Sequence, residues 1–168
     1  MSKLDKSHFT ALDRIWKYLI RYPDLGLFLS HNNGIGLLGY SDSDWANYLT
    51  NRKSITGFCF LYNRNLISWN SMLQNTVALS TCEAEYMALR EATKEAIYLS
   101  NILKWLKRER QLGITVSSVT PIAMLTDSDA AIKLAENPEF YKRSKHIDIT
   151  YHFIRECISE GKIKLSFV

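Results

Sequence analysis

The longest uninterrupted helical pattern in the chain begins at Ser80 and constrains the fold more than any other stretch. Ser80 and Thr81 are favoured N-cap residues, and Glu83 follows within one turn, a combination typical of a helix start. Neither glycine nor proline occurs from there to Gly113. Small and aliphatic residues recur at helical spacing, namely Ala88, Ala92, Ala96, Leu99, Leu103 and Leu106. The sequence therefore predicts a helix over roughly Thr81–Arg110 that buries this stripe.

One carboxylate, that of Glu85, falls on the stripe that this helix is predicted to bury. Glu85 precedes Ala88 by three residues, whereas the other glutamates of this region point away from the stripe. A carboxylate on a buried face needs a cation or a hydrogen-bonding partner to offset its desolvation. Taken alone, Glu85 is best explained by a cap or a structural ion pair, so its role depends on which other acids approach it.

Length and composition describe one domain, or one domain with a short annex. The 168 residues suffice for a buried core, and 46% hydrophobic with 23% charged residues is typical of globular proteins. A net charge of +4 permits a polyanionic partner without requiring one. The three cysteines form no CxxC pair, which predicts reduced thiols and an intracellular location. Because no signal-peptide profile or membrane-length apolar run occurs, no membrane partner is predicted.

The remaining patterns predict alternating strands and helices. A helix over 4–21 and a short strand over 25–30 precede the turn-like His31–Gly34, so we predict a connecting segment at 1–33 and a main domain at 34–168. Within the main domain, strands are predicted at 36–40, 55–62, 66–69, 121–126 and 162–168, with further helices at 127–137 and 148–159. Three early strands followed by alternating helices and strands predict an α/β fold, a mixed sheet flanked by helices.

Two aspartates follow apolar strands at the point where each strand ends. Strand alternation places Asp42 on the same face as the apolar residues before it, and Asp127 follows the run 121–126 in the same way. Sites gather at the carboxyl ends of strands in open α/β sheets. If the two strands are parallel neighbours, the two aspartates approach each other, and Glu85 joins them from the first turns of the long helix.

Three carboxylates without basic partners repel one another, and divalent cations relieve that repulsion. Mg²⁺ and Mn²⁺ prefer oxygen ligands, and two such ions roughly 3.5–4 Å apart can activate water and stabilise the leaving oxygen of a phosphodiester. The sequence therefore predicts that Asp42, Glu85 and Asp127 are catalytic residues holding two Mg²⁺ ions, or Mn²⁺ in their place. Asp44 is the alternative to Asp42, because its i, i+2 spacing lets it face the same way. Singly, each acid also fits a structural role, with Asp127 as a helix cap.

Five motifs recur in this order in one family: Gly39–Ala46 (GYSDSDWA), Ile67–Trp69 (ISW), Val77–Ser80 (VALS), Glu83–Leu89 (EAEYMAL) and Lys145–Ile149 (KHIDI). Together they make the chain, from about residue 36 to the C-terminus, resemble the ribonuclease H domain of copia-type LTR-retrotransposon Pol polyproteins. Residues 9–29 also resemble the tail of the reverse-transcriptase region that precedes this domain in the family.

The resemblance implies a ribonuclease H fold and metal-dependent hydrolysis of the RNA strand of RNA–DNA hybrids during reverse transcription. It places the first Asp of the family on Asp42, the helix Glu on Glu85 and the second Asp on Asp127, the residues already selected. The implied partners are an RNA–DNA hybrid and the remainder of a Pol polyprotein. The implied location is intracellular, in cytoplasmic virus-like particles or in the nucleus.

One departure from the family pattern leaves an alternative function open. The family continues after the last strand into a closing helix that carries a fourth acid, and this chain ends at Val168, before that helix. Without the helix, apolar sheet surface is expected to be exposed. Asp148 opens a different helix, so the fourth role is not assigned to it. The alternative is a truncated or domesticated remnant that keeps the fold, is catalytically inactive and at most binds nucleic acid or a partner.

The predicted nucleic-acid contacts are Arg52, Lys53, Gln74, Lys142, Arg143 and Lys145. The cations form two runs, before the second strand and before the last helix, and either phosphate contacts or solvated loops explain them. Gln74 leads into the long helix, where a polar side chain could reach the minor groove of a hybrid. The four tryptophans lie in patterned elements and are predicted to be core residues rather than base-stacking platforms.

Overall fold

The computed structural model describes residues 5–31, 36–46, 51–108, 121–137 and 145–168. Along this part of the chain the elements are α1 (Lys6–Arg21), β1 (Leu37–Asp44), β2 (Ile55–Tyr62), β3 (Asn65–Leu73), α2 (Thr81–Arg108), β4 (Ile122–Thr126), α3 (Asp129–Glu136), α4 (Lys145–Ser159) and β5 (Ile163–Phe167). The predicted α/β class, a mixed sheet flanked by helices, is confirmed. Among the described residues, no helix combines the length and the apolar character needed to cross a membrane.

The strands form one sheet in the order β3-β2-β1-β4-β5. The first three strands pair antiparallel, and Asn63 and Arg64, with φ of 48° and 68°, make the tight turn between β2 and β3. β4 pairs parallel with both β1 and β5. Tyr40 of β1 pairs with Leu125 of β4. Asp42 and Asp127 each lie two residues further on, so both are at the same end of the sheet. The condition on which the predicted approach of these aspartates depended is therefore met.

Helix α2 packs its alanine stripe on one face of the sheet. Ala88, Ala92 and Ala96 are completely buried, as predicted, and small side chains let the helix axis approach the strands closely. The core beneath contains Phe60 from β2 and Met124 from β4, both fully buried, and α3 and α4 complete this helical layer. The firm contact between α2 and β1 is what places Glu85 beside the end of β1.

The opposite face of the sheet is only partly covered. Leu38 and Tyr40 of β1 and Leu125 of β4 are half-buried on this face, whereas their neighbours along the strands are buried. A groove of about 440 Å³ runs across this face next to Asp42 and is lined by Tyr40, Cys59, Leu125, Asp127 and Val168 among others. Within the described part of the chain, this face of the sheet is therefore partly open to solvent.

The prediction that the tryptophans are core residues is wrong. Trp16, Trp45, Trp69 and Trp105 are 61%, 47%, 61% and 60% exposed. Trp69 lies on β3, an edge strand, and Trp105 lies near the end of α2. Trp45 does have a partner, because its indole N–H donates to the carbonyl of Ala78 at 3.2 Å. The residue patterns identified the helices and strands, but they did not show which side chains of each element are buried.

The predicted strand at 25–30 is also wrong, since residues 25–31 form no strand. The segment instead touches the β2–β3 turn through one side chain. The amide of Ser30 donates to Asn65 Oδ1 at 2.7 Å, and Asn65 Nδ2 donates back to the Ser30 carbonyl at 3.0 Å. Helix α1, which precedes it, buries none of its residues, although its apolar side chains share one face.

Removing residues 1–29 is expected to change the free energy of unfolding by less than about 1 kcal/mol, because α1 buries no side chain and the contacts of Ser30 with Asn65 remain. Urea unfolding followed by the fluorescence of the remaining tryptophans would measure this. Asn65→Ala in the shortened chain removes the retained contact together with the hydrogen bonds of Asn65 Nδ2 to the carbonyls of Tyr62 and Asn63, so its loss of stability is an upper limit for that contact. A loss above about 2 kcal/mol on removing residues 1–29 would mean that α1 packs on the sheet in solution.

Candidate active site

Asp42 and Asp127 extend from the ends of two parallel neighbouring strands. Asp42 is exposed, and its Oδ1 accepts a hydrogen bond from the backbone N–H of Ser43 at 2.7 Å. Asp127 follows β4 directly and is exposed. The cap of α3 is Ser128, whose Oγ accepts from the amide of Ala131 at 3.2 Å. Since Ser128 performs the capping, the alternative reading of Asp127 as the helix cap does not apply.

Glu85 comes from the second turn of α2, and capping of this helix involves a different glutamate. Ser80 Oγ accepts from the amide of Glu83 at 3.1 Å, and Glu83 Oε2 accepts from the amide of Leu79 at 2.7 Å. Glu85 is half-buried, and its Oε1 accepts from the hydroxyl of Ser43 at 2.7 Å. Its Oε2 is buried and has no hydrogen-bond partner within the described structure.

The three carboxylates converge as the sequence predicts. Asp42, Glu85 and Asp127 each offer an oxygen that lies within 4.8 Å of the other two. None of the ion pairs found in the described part of the chain involves any of the three. Asp44, the alternative to Asp42, is exposed and is not a member of the cluster, while the side chain of Asp148 lies outside the described residues.

The cluster changes the protonation of its innermost member. Burial, together with the negative charges of Asp42 and Asp127, raises the pKa of Glu85 to about 7, although the hydrogen bond from Ser43 opposes the rise. Without a cation, the site therefore keeps a proton on Glu85 up to neutral pH. A bound cation would take the place of that proton.

The residues present fit a divalent metal ion. The donor set consists of three carboxylates, the hard oxygen ligands that Mg²⁺ and Mn²⁺ prefer. The orphaned Oε2 of Glu85 is a buried acceptor that a cation would satisfy. Asp42 and Asp127 are exposed, so a ligand can approach the same point from solvent. The arrangement is suited to binding a cation that a substrate oxygen also contacts.

The predicted nucleic-acid contacts have different outcomes. Arg52 is exposed and Lys53 half-buried, and both precede β2, whose first residue pairs with Asp44, so these cations lie at the acidic end of the sheet. Lys142 and Arg143 lie outside the described residues. Lys145 is the first residue of α4, and its side chain also lies outside the described part.

The prediction for Gln74 needs correction, because the side chain is only 4% exposed. Gln74 Nε2 donates to Thr56 Oγ1 at 3.1 Å and to the carbonyl of Ala84 at 2.9 Å. The amide therefore ties the β3–α2 connection to β2 and to the first turn of α2. A polar residue in a predicted loop suggested exposure, whereas a buried polar side chain needs partners of this kind.

Sequence reasoning gave no role to Ser43, which donates to two of the three carboxylates. The available signal was its position, a hydroxyl between Asp42 and Asp44 at the end of a predicted strand. Alternation along β1 turns Ser43 away from the open face and toward the helical layer.

The sheet order and the helices on one face are those of a ribonuclease H-like fold, with the three carboxylates at the parallel end of its sheet. The fold is similar to the N-terminal RNase H domain of a Mycobacterium tuberculosis protein, with a TM-score of 0.54 at 13% identity over 80% of this chain and 83% of that one. Prototype foamy virus protease-reverse transcriptase gives 0.52 at 19% identity, over 84% of this chain and 18% of that one. LC11-RNase H1, crystallised in complex with an RNA/DNA hybrid, has a TM-score of 0.50 at 13% identity, over 79% of this chain and 84% of that one.

In sequence, the chain is related to transposon polyproteins. It is 39% identical over 160 residues to the retrovirus-related Pol polyprotein from transposon TNT 1-94 of Nicotiana tabacum, covering 95% of this chain and 11% of the polyprotein. It is 35% identical over 161 residues to the retrovirus-related Pol polyprotein from transposon RE2 of Arabidopsis thaliana, covering 96% of this chain and 10% of the polyprotein. No protein-family model matches. The chain is thus homologous to a segment of plant-transposon Pol polyproteins and spans about a tenth of the length of these curated relatives.

Proposed function

We propose that this chain is the ribonuclease H domain of a copia-type retrotransposon Pol polyprotein and that it hydrolyses the RNA strand of RNA–DNA hybrids. The observation that carries the proposal is the cluster of Asp42, Glu85 and Asp127, whose oxygens lie within 4.8 Å of one another at the end of a ribonuclease H-like sheet. Similarity to LC11-RNase H1, which was crystallised with a hybrid, supports the substrate class.

The three carboxylates would hold two Mg²⁺ ions, or Mn²⁺ in their place. When bound, these ions would supply charge for activating water and stabilising the leaving oxygen. Glu85 anchors the cluster from inside the protein, while Asp42 and Asp127 face solvent, where a nucleic-acid backbone can approach. Arg52 and Lys53 lie at the same end of the sheet and would contact backbone phosphates, which position a nucleic acid without reading its sequence.

The polyprotein setting accounts for the exposed apolar surface of the N-terminal segment. We assign residues 1–33 to the tail of a reverse-transcriptase region and residues 34–168 to the ribonuclease H-like domain. The relatives are about ten times longer than this chain, so polypeptide of the same protein is available in them to cover α1. In this setting the protein would act in cytoplasmic virus-like particles or in the nucleus.

The closing helix that the resemblance implies would pack on the groove of the open sheet face. The groove is apolar, adjoins Asp42 and Asp127, and includes Val168 in its lining. A helix packed there would bring its fourth acid to the three carboxylates already present.

Cleavage of a labelled RNA–DNA hybrid, in Mg²⁺ and separately in Mn²⁺, tests the proposal directly. The wild-type chain is expected to cleave the RNA strand, whereas Asp127→Asn, which removes one metal-binding charge and keeps the side-chain shape, is expected to be inactive. Circular dichroism would confirm that both proteins are folded. Cleavage by the wild type but not by Asp127→Asn would support the nuclease.

The second candidate is a catalytically inactive remnant that keeps the fold and at most binds nucleic acid or a partner. It is favoured by the size of the cluster, which has three acids within the described part of the chain rather than four. Hybrid binding by a folded wild-type protein without cleavage in either metal would support this candidate and refute the nuclease.

A further inference from the structure

Ser43 connects two of the three carboxylates through separate hydrogen bonds. Its backbone N–H donates to Asp42 Oδ1, and its hydroxyl donates to Glu85 Oε1, each at 2.7 Å. The two acids come from different elements, the end of β1 and the second turn of α2. Ser43 is half-buried, so its hydroxyl bond is partly shielded from competing water.

The hydroxyl of Ser43 decides which oxygen of Glu85 is left for another ligand. Oε1 accepts from Ser43, whereas Oε2 is buried and has no hydrogen-bond partner in the described structure. A free glutamate side chain loses rotamer entropy when it is held in one conformation. A hydrogen bond that already holds the carboxylate therefore lowers the entropic cost that cation binding has to offset.

We infer that Ser43 is a positioning residue for Glu85, whose carboxylate it holds beside Asp42 and Asp127 with Oε1 engaged and Oε2 left for another ligand. The part of this inference that involves cation binding rests on the proposed function. Outer partners that orient a metal ligand are typically worth about 10–100-fold in metal affinity.

The chain contains a closely matched control for Ser43. Ser41 lies two residues earlier on β1 and faces the same side of the sheet, where it is buried. Its Oγ has no hydrogen-bond partner in the described structure. Ser41→Ala therefore makes the same chemical change on the same strand face without removing a bond to a carboxylate.

Calorimetric titration of the full chain with Mn²⁺, without nucleic acid, gives the first readout. Ser43→Ala is expected to weaken Mn²⁺ binding by about tenfold, Ser43→Thr to restore most of the affinity, and Ser41→Ala to leave it unchanged. Equal affinity in the wild type and in Ser43→Ala, or an equal loss in Ser41→Ala, would overturn the inference.

The crystal structure of metal-free Ser43→Ala gives a second readout that does not depend on the proposed function. The carboxylate of Glu85 is expected to rotate away from Asp42 and Asp127, while it keeps its place in Ser41→Ala. A carboxylate that stays in place without the hydroxyl would refute the positioning role whatever the metal affinity. If the carboxylate moves but the wild type binds no Mn²⁺, positioning stands and the proposed metal chemistry falls.

Discussion

Glu85→Gln is expected to stabilise the metal-free protein at pH 8. Because burial and the charges of Asp42 and Asp127 raise the pKa of Glu85 from 4.5 to about 7, the folded state holds a proton there that the unfolded chain releases. The stability of the wild type therefore falls as pH rises from about 4.5 through 7. Glutamine has the same shape and no charge, so it should recover about 1–2 kcal/mol at pH 8, after allowance for solvent screening of a half-buried group.

The same substitution should abolish the response to metal. A ligand that binds only the folded state stabilises it, so Mg²⁺ is expected to raise the melting temperature of the wild type. Glu85→Gln removes the charge of the buried ligand, so that rise should disappear and hybrid cleavage should fall by about 100-fold or more. The gain in metal-free stability and the loss of metal binding share one cause, a carboxylate that is charged while partly buried beside two others, whose charge a cation would neutralise.

Urea unfolding at pH 5 and pH 8, with and without Mg²⁺, separates these two effects. Glu95→Gln is a close control, because Glu95 is a half-buried residue of the same helix that accepts a hydrogen bond from Ser68 Oγ at 2.7 Å. It is not a member of the carboxylate cluster, so its variant should retain the response to Mg²⁺. A Glu85→Gln protein that is no more stable than the wild type at pH 8 would contradict the electrostatic account.

The candidate site could be predicted because each of its parts follows a local rule. Strand alternation assigned Asp42 and Asp127 to their faces, and the helical period placed Glu85 on the buried stripe of α2. The parallel pairing of β1 with β4 does not follow from local pattern, because the residues of a strand do not specify which other strand it pairs with. For that step the prediction relied on a condition, and the register of Tyr40 with Leu125 meets it.

The errors arose where burial depends on distant parts of the chain. Gln74 looked like a loop residue with an exposed amide, but that amide holds Thr56 and the carbonyl of Ala84 in the interior. Trp69 looked like a core residue, but β3 is an edge strand with a single neighbour. In both cases local pattern identified the element correctly, whereas contacts with parts of the chain distant in sequence decided the exposure of the side chain.

Gly39→Ala is expected to destabilise the protein by about 2–3 kcal/mol, because overpacking a closed core forces its neighbours to move. In the sheet, Gly39 pairs with Phe60 on one side and Met124 on the other. A Cβ at Gly39 would lie 2.5 Å from Phe60 Cε1 and 2.7 Å from Met124 Sδ. Both side chains are completely buried, so neither can withdraw into solvent. The damage would extend to Asp42, three residues further along β1.

Gly57→Ala on the adjacent strand β2 provides the comparison that tests this argument. A Cβ at Gly57 would meet only the backbone oxygen of Asp42, at 3.8 Å, which is ordinary van der Waals contact. Its variant should therefore remain within about 1 kcal/mol of the wild type. Both variants add one methyl group to a central strand, so strand propensity changes equally and only the space available differs. Urea unfolding of the two variants side by side measures that difference, and equal losses would show that the ring of Phe60 does not close the space over Gly39.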